Sequence, residues 1–191
     1  MPTSMSPEKE IIEKYFAGDN SAFAGLVDLY LKEIYNFIYR LIGSVKDSED
    51  LTQEVFIKVW KNLNKFDIEK NFKTWIFTIA KNTAIDFLRK NKDIPLSSFD
   101  DEDGNNFIED NLIDNEMKSD EVFSLGEDKE LIEKALNKIS LIQKEVLILR
   151  YMNELSFSEI SEVLDIPLNT IKSHHNRALI KLRKILTATN Y

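Results

Sequence analysis

No cysteine occurs in the chain, which excludes disulfides, thiolate metal sites and a cysteine nucleophile and fits a reducing compartment. Glycine and proline are scarce, with 5 and 4 copies in 191 residues. The long stretches rich in Leu, Ile, Lys, Glu and Asn carry apolar residues at helical spacing, so an all-α protein with almost no sheet is expected. No apolar run approaches the roughly 18 residues of a membrane span, and Met1–Asn20 lacks the basic start and apolar stretch of an export signal. A cytoplasmic protein with no membrane insertion follows as the expectation.

The net charge of −8 at first argues against nucleic acid, because phosphate contacts need local positive charge. Its distribution reverses that inference. From Asp93 to Asp128 thirteen acids face a single base, Lys118, so this segment carries more than the whole net negative charge and the rest of the chain is net positive. With few periodic apolar positions it suits a flexible connector.

Since 43% of the residues are hydrophobic and single cores become marginal below roughly 60 residues, two small helical domains are affordable. The boundaries expected are residues 1–92, an acidic linker over 93–128, and 129–191. In the first unit Leu26, Tyr30, Ile34, Phe37, Ile38 and Leu41 share one helical face that Gly43 ends. A Ser48 cap opens a second helix with Leu51, Val55 and Val59 on its apolar stripe and Asp50, Gln53, Glu54 and Lys58 mostly off it. Phe66–Asn71 is a loop, and a third helix over Phe72–Lys92 sets Trp75, Ile79, Ile85 and Leu88 among Lys73, Lys81, Arg89, Lys90 and Lys92. Trp75 belongs to the apolar pattern and is expected in the core. The second unit has helices near Glu130–Lys138, Leu141–Met152, Phe157–Leu164 and Leu168–Leu186.

The last of these stretches is the most informative. Ser156 followed by Glu159 is a capping box, Ile160, Val163 and Leu164 supply a buried side, and Asp165-Ile166-Pro167 breaks the helix. A longer helix follows with Ile171, Ala178, Leu179 and Leu182 inward. From Ile166 to Tyr191 there is no acid, while Lys172, Arg177, Lys181, Arg183 and Lys184 are present. This is the pattern of a helix-turn-helix whose second helix enters a major groove. Lys172, Ser173, Asn176 and Arg177 then project outward; Arg can pair with guanine and Asn with adenine. His174 and His175 are poor metal ligands, because neighbours on a helix point about 100 degrees apart and no third ligand accompanies them. A surface His beside a partly buried one is expected.

The segments KEVLILRY (144–151), LSFSEIS (155–161) and IPLNTIKS (166–173), together with DSEDLTQEVFIKVW (47–60) and FKTWIFTIAKNTAIDFLR (72–89), resemble the bacterial extracytoplasmic-function sigma factors of RNA polymerase over nearly the whole chain except the linker. The resemblance implies core polymerase and promoter DNA as partners, control by an anti-sigma factor, a monomer, no catalytic residue, no cofactor and no metal. It implies that Asp50, Gln53, Glu54 and Ile57 dock on the largest polymerase subunit, and that Phe66 and Asn82 recognise an unpaired base of the −10 element. Lys73, Lys81, Arg89 and Lys90 would hold the backbone of the separated strand. Thr170, Lys172, Ser173, His174, Asn176, Arg177 and Lys181 would meet the −35 duplex. Three departures from the family pattern fall at Asp165, at Asn169, and at His174-His175-Asn176. Asn tolerates a left-handed backbone, so Asn169 is compatible with the turn. The acidic linker fits either a passage through the positive channels of polymerase or a solvated tether. A free-standing operator-binding regulator would lack the first unit's motifs, and an enzyme built on acids such as Glu109 and Asp110 would lack convergent partners.

Overall fold

The computed structural model describes residues 6–91 and 135–189; the acidic segment and the start of the helix expected near Glu130–Lys138 lie outside them. Every regular element among the described residues is a helix, and the helices form two units.

Helix α1 (Pro7–Phe16) has no counterpart in the sequence expectations. Ser6 caps it by accepting the Lys9 N–H at 3.4 Å, and Pro7 stands at its start, where a missing N–H costs nothing. The Tyr30 hydroxyl donates to Glu8 at 2.6 Å and ties α1 to α2 (Phe23–Ile42). Helix α2 buries the expected stripe and ends at Gly43, whose φ of 77° a side chain would resist.

Helix α3 (Val45–Asn62) starts one turn earlier than expected. Ser44, not Ser48, is the cap and accepts the Asp47 N–H, while the buried Ser48 hydroxyl donates back to the Ser44 carbonyl at 2.6 Å. Two serines four residues apart compete for the cap, and the one with an extended backbone wins.

After the loop, the Asn71 side chain accepts the Thr74 N–H at 3.1 Å and opens α4 (Phe72–Asn91). This helix buries Ile76, Phe77, Ala80, Ala84 and Leu88, with Thr74, Thr83 and Ile85 on further sides. A helix apolar on more than one face needs cover from more than one side. The cover comes from α2 and α3 on one side and from α6 (Phe157–Leu164) of the second unit on another.

The second unit continues with α5 (Leu141–Tyr151), opened by a Ser140–Gln143 capping box, then α6 and α7 (Leu168–Thr189). Ile142, Val146, Leu149, Leu155, Ile160, Val163 and Ile171 join the core of the first unit in one continuous cluster, and Ala178, Leu179, Leu182 and Leu186 close a smaller one around Leu136 and Leu147. The units are therefore packed on each other.

Candidate nucleic-acid interface

The outer face of α3 is open. Asp50, Gln53 and Glu54 are exposed, and beside them Ile57 and Trp60 are 50% and 53% exposed. Polar groups around two uncovered apolar side chains are the composition of a protein-docking patch. Lys58 pairs with Glu54 at 2.7 Å and keeps that acid in place.

On its adjoining side α3 forms with α4 an open groove of about 480 Å³. Its rim carries Lys58, Lys65, Asn62 and Asn82, and its floor Trp75, Ile79 and Thr83. Lys58 donates to the Thr83 hydroxyl at 2.9 Å, which aims its charge across the groove. An aromatic face, two amides and two cations in one cleft can stack a base, read its edge and hold the adjoining phosphates.

Asn82 lies in this groove, with its side-chain oxygen accepting from Lys81 at 3.2 Å. Phe66 does not line it. The ring is 7% exposed and packs edge-on to Phe72 at 5.4 Å and against Trp75 at 4.9 Å. Phe66 thus supports Trp75 from behind. Trp75, expected in the core, is only partly buried and presents part of its ring to the groove.

Lys73 is turned to α2, where it pairs with Glu33 at 3.1 Å. Arg89 and Lys90 are exposed at the far end of α4, about 10 Å along the helix from Asn82 at 1.5 Å per residue. The groove cations Lys58 and Lys65 and the amide Asn62 were not singled out as binding residues. Their signal was a run of polar residues at three- and four-residue steps along α3 into the loop, indistinguishable in sequence from a solvated face.

In the second unit the Ser156–Glu159 capping box is formed in both directions. Helix α6 ends on Asp165, whose φ of 57° puts it in the left-handed region. The left-handed residue of the turn is therefore Asp165, and Asn169 lies inside α7. The Ser161 hydroxyl donates to the Ile166 carbonyl at 2.6 Å and Arg150 donates to the Leu155 carbonyl at 3.0 Å, so backbone groups on both sides of α6 are satisfied by side chains.

Ile171 and Ala178 are fully buried, which turns Lys172, Ser173, Asn176 and Lys181 to solvent with Arg177 and Thr170 half-buried beside them. The Ser173 hydroxyl donates to the Asn169 carbonyl at 3.0 Å. His174 and His175 are each 9% exposed. The expectation of one surface histidine is corrected: both rings are buried on the inner side of α7.

One further titratable group is buried between the units. Glu145 of α5 is 3% exposed, and burial pushes its carboxyl up to about 7 against the opposing pull of Lys81 on α4. Among the described residues its Oε1 has no hydrogen-bond partner.

The Sigma-70 region 2 family matches residues 26–94 and the Sigma-70 region 4 family residues 129–182. The ECF RNA polymerase sigma factor SigW of Bacillus subtilis (strain 168) is 37% identical over 182 residues, which cover 93% of this chain and 96% of that protein. SigX of the same organism is 30% identical over 165 residues, 85% of this chain and 82% of that one. Among solved structures, the sigma factor RpoE of Bartonella quintana, in complex with the anti-sigma factor NepR, aligns with a TM-score of 0.66 at 28% identity, covering 86% of this chain and 96% of that one. An open groove on one helical unit, a basic helix-turn-helix on the next, and relatives that match along both make the chain a member of the extracytoplasmic-function family of RNA polymerase sigma factors.

Proposed function

We propose that this sigma factor divides its work by surface: the α3 patch of Asp50, Gln53, Glu54 and Ile57 holds core polymerase, the α3–α4 groove takes a melted −10 base, and α7 meets the −35 duplex. The observation that carries this is the groove, because two lysines, two amides and a tryptophan face in a single cleft suit an unpaired nucleotide and little else in a helical bundle. Asn82 reads the base edge, Trp75 stacks, and Lys58, Lys65, Lys81, Arg89 and Lys90 hold the strand. Lys73 joins them on release from Glu33. On α7, Arg177 and Asn176 face bases while Thr170, Lys172, Ser173 and Lys181 hold phosphates.

Residues 1–92 act as the polymerase and −10 unit, 129–191 as the −35 unit, and 93–128 as the connection. Promoter elements some 25 base pairs apart lie about 85 Å apart on B-form DNA at 3.4 Å per step. A compact body the size of the packed units is about 40 Å across. The units therefore part when both elements are engaged, and the chain between Asn91 and Ala135 reaches up to about 150 Å.

No covalent chemistry falls to this chain; polymerase supplies catalysis and its metal ions, and the sigma factor works where polymerase does, in the cytoplasm. An anti-sigma factor controls it, as the Bartonella relative solved with one suggests. The test is a pair of substitutions in holoenzyme. Asn82→Ala is expected to change preference at one −10 position and Arg177→Ala at one −35 position, each by about tenfold. Unchanged preferences in both would defeat the assignment.

A further inference from the structure

His175 is an inward side chain of α7 whose polar atoms lead back to the DNA-facing side. Its Nε2 lies 2.7 Å from the Tyr151 hydroxyl at the end of α5. Its ring meets Phe157 of α6 edge-on at 4.9 Å, and the Arg150 guanidinium sits 4.9 Å over that same Phe157. All three helices of the helix-turn-helix unit thus fix one imidazole. Its Nδ1 lies 3.3 Å from the side-chain oxygen of Asn176, the next residue and an exposed one.

The protons in this chain of contacts have one consistent arrangement. Burial lowers the His175 pKa, the Asn176 contact opposes this, and the Arg150 charge lowers it further, so the ring is neutral and carries a single N–H. An amide oxygen only accepts, so that N–H is on Nδ1 and donates to Asn176. Nε2 is then bare and accepts from the Tyr151 hydroxyl.

The consequence falls on Asn176. An unconstrained Asn pairs with adenine through both ends of its amide, the oxygen accepting from N6 and the NH₂ donating to N7. With its oxygen turned to His175, Asn176 offers DNA its NH₂ group. Donors suit guanine N7 and O6 or thymine O4; adenine offers them only N7 and leaves its N6 amino group unpaired, and cytosine offers only its opposing N4 amino group.

We propose that Tyr151 and His175 are positioning residues that set the base preference of the −35 helix by orienting the Asn176 amide, so that its position favours guanine or thymine over adenine and cytosine. This rests on α7 being the −35 helix.

The test uses holoenzyme on a promoter library with a fixed −10 element and a randomised −35 element, reading the preference at each position. Tyr151→Phe removes the donor to Nε2 with little change of shape, so the ring proton can move to Nε2 and the amide of Asn176 can reverse. The expected result is a shift of about tenfold toward adenine or cytosine at one −35 position, with the −10 preference unchanged. His175→Phe keeps the edge contact with Phe157 and removes both nitrogens; it should let guanine and adenine serve alike at the same position. Asn176→Ala should make that position indifferent. A uniform loss across all −35 sequences in Tyr151→Phe and His175→Phe, with Asn176→Ala still altering one position, would overturn the proposal and leave α7 as the −35 helix. No −35 change in Asn176→Ala or Arg177→Ala would overturn the −35 assignment itself.

Discussion

The side-chain amide of Asn71 donates to Glu159 at 2.7 Å, so the residue that caps α4 is bonded to the residue that completes the capping box of α6. Two helix starts 88 residues apart in the chain are joined at one point, and behind them the apolar cluster runs unbroken from α2 to α7. Parting the units uncovers α4, which is why the packed form has its own stability.

Ile160, fully buried on α6 within the shared cluster, reports on that coupling. Ile160→Ala should cost about 2–5 kcal/mol and should lower the melting of both units together, giving a single cooperative transition by calorimetry. Two separate transitions, with only one displaced, would show that the units fold independently.

Glu145 makes the packed form sensitive to pH. Its carboxyl ionises near 7 when folded and at its ordinary 4.5 when exposed, so between these values the folded state holds a proton the unfolded state has released. The contribution is complete below about pH 4.5 and is lost as pH rises through 7, a difference of about 3 kcal/mol at 1.36 kcal/mol per unit. Glu145→Gln cannot ionise and should be more stable than the parent at pH 8, with a flatter stability profile between pH 5 and 8. Chemical denaturation at several pH values measures this, and parallel profiles for the two proteins would contradict it.

Asp165 holds a left-handed backbone that suits glycine better. Asp165→Gly should raise the melting temperature slightly, by up to about 1 kcal/mol of stability, and Asp165→Val should lower it by about 1–2 kcal/mol. If both substitutions were neutral in thermal melts, the turn would have another geometry.

Much of this architecture was legible in the chain. Helices α2, α6 and α7 carry one apolar stripe each, bounded by Gly43, by the Ser156–Glu159 box and by Pro167, and these signals are local. Helix α1 was missed because its buried residues are only Ile12 and Tyr15 amid five charges, although Ser6-Pro7 is a start signal. The packing of the two units was not foreseen, yet α4 is apolar on several sides, from Ile76 and Phe77 to Ala84 and Ile85, and a lone three-helix unit cannot cover them all. Among site residues, the outward face of α7 followed from its helical register, whereas Asn82 was marked only by the family resemblance. The burial of Phe66 and of His174 did not follow from register, because an aromatic before a helix and a histidine on one turn the same whether they face a ligand or a neighbour. Only the positions of Trp75 and of the inner side of α7 decide that.

Run-off transcription with purified core polymerase, this chain and a promoter library tests the central claim most directly. Transcripts that require the chain and start downstream of paired −35 and −10 elements are the expected result. An absence of any complex with core polymerase, or a complex that yields no promoter-dependent transcript, would contradict it.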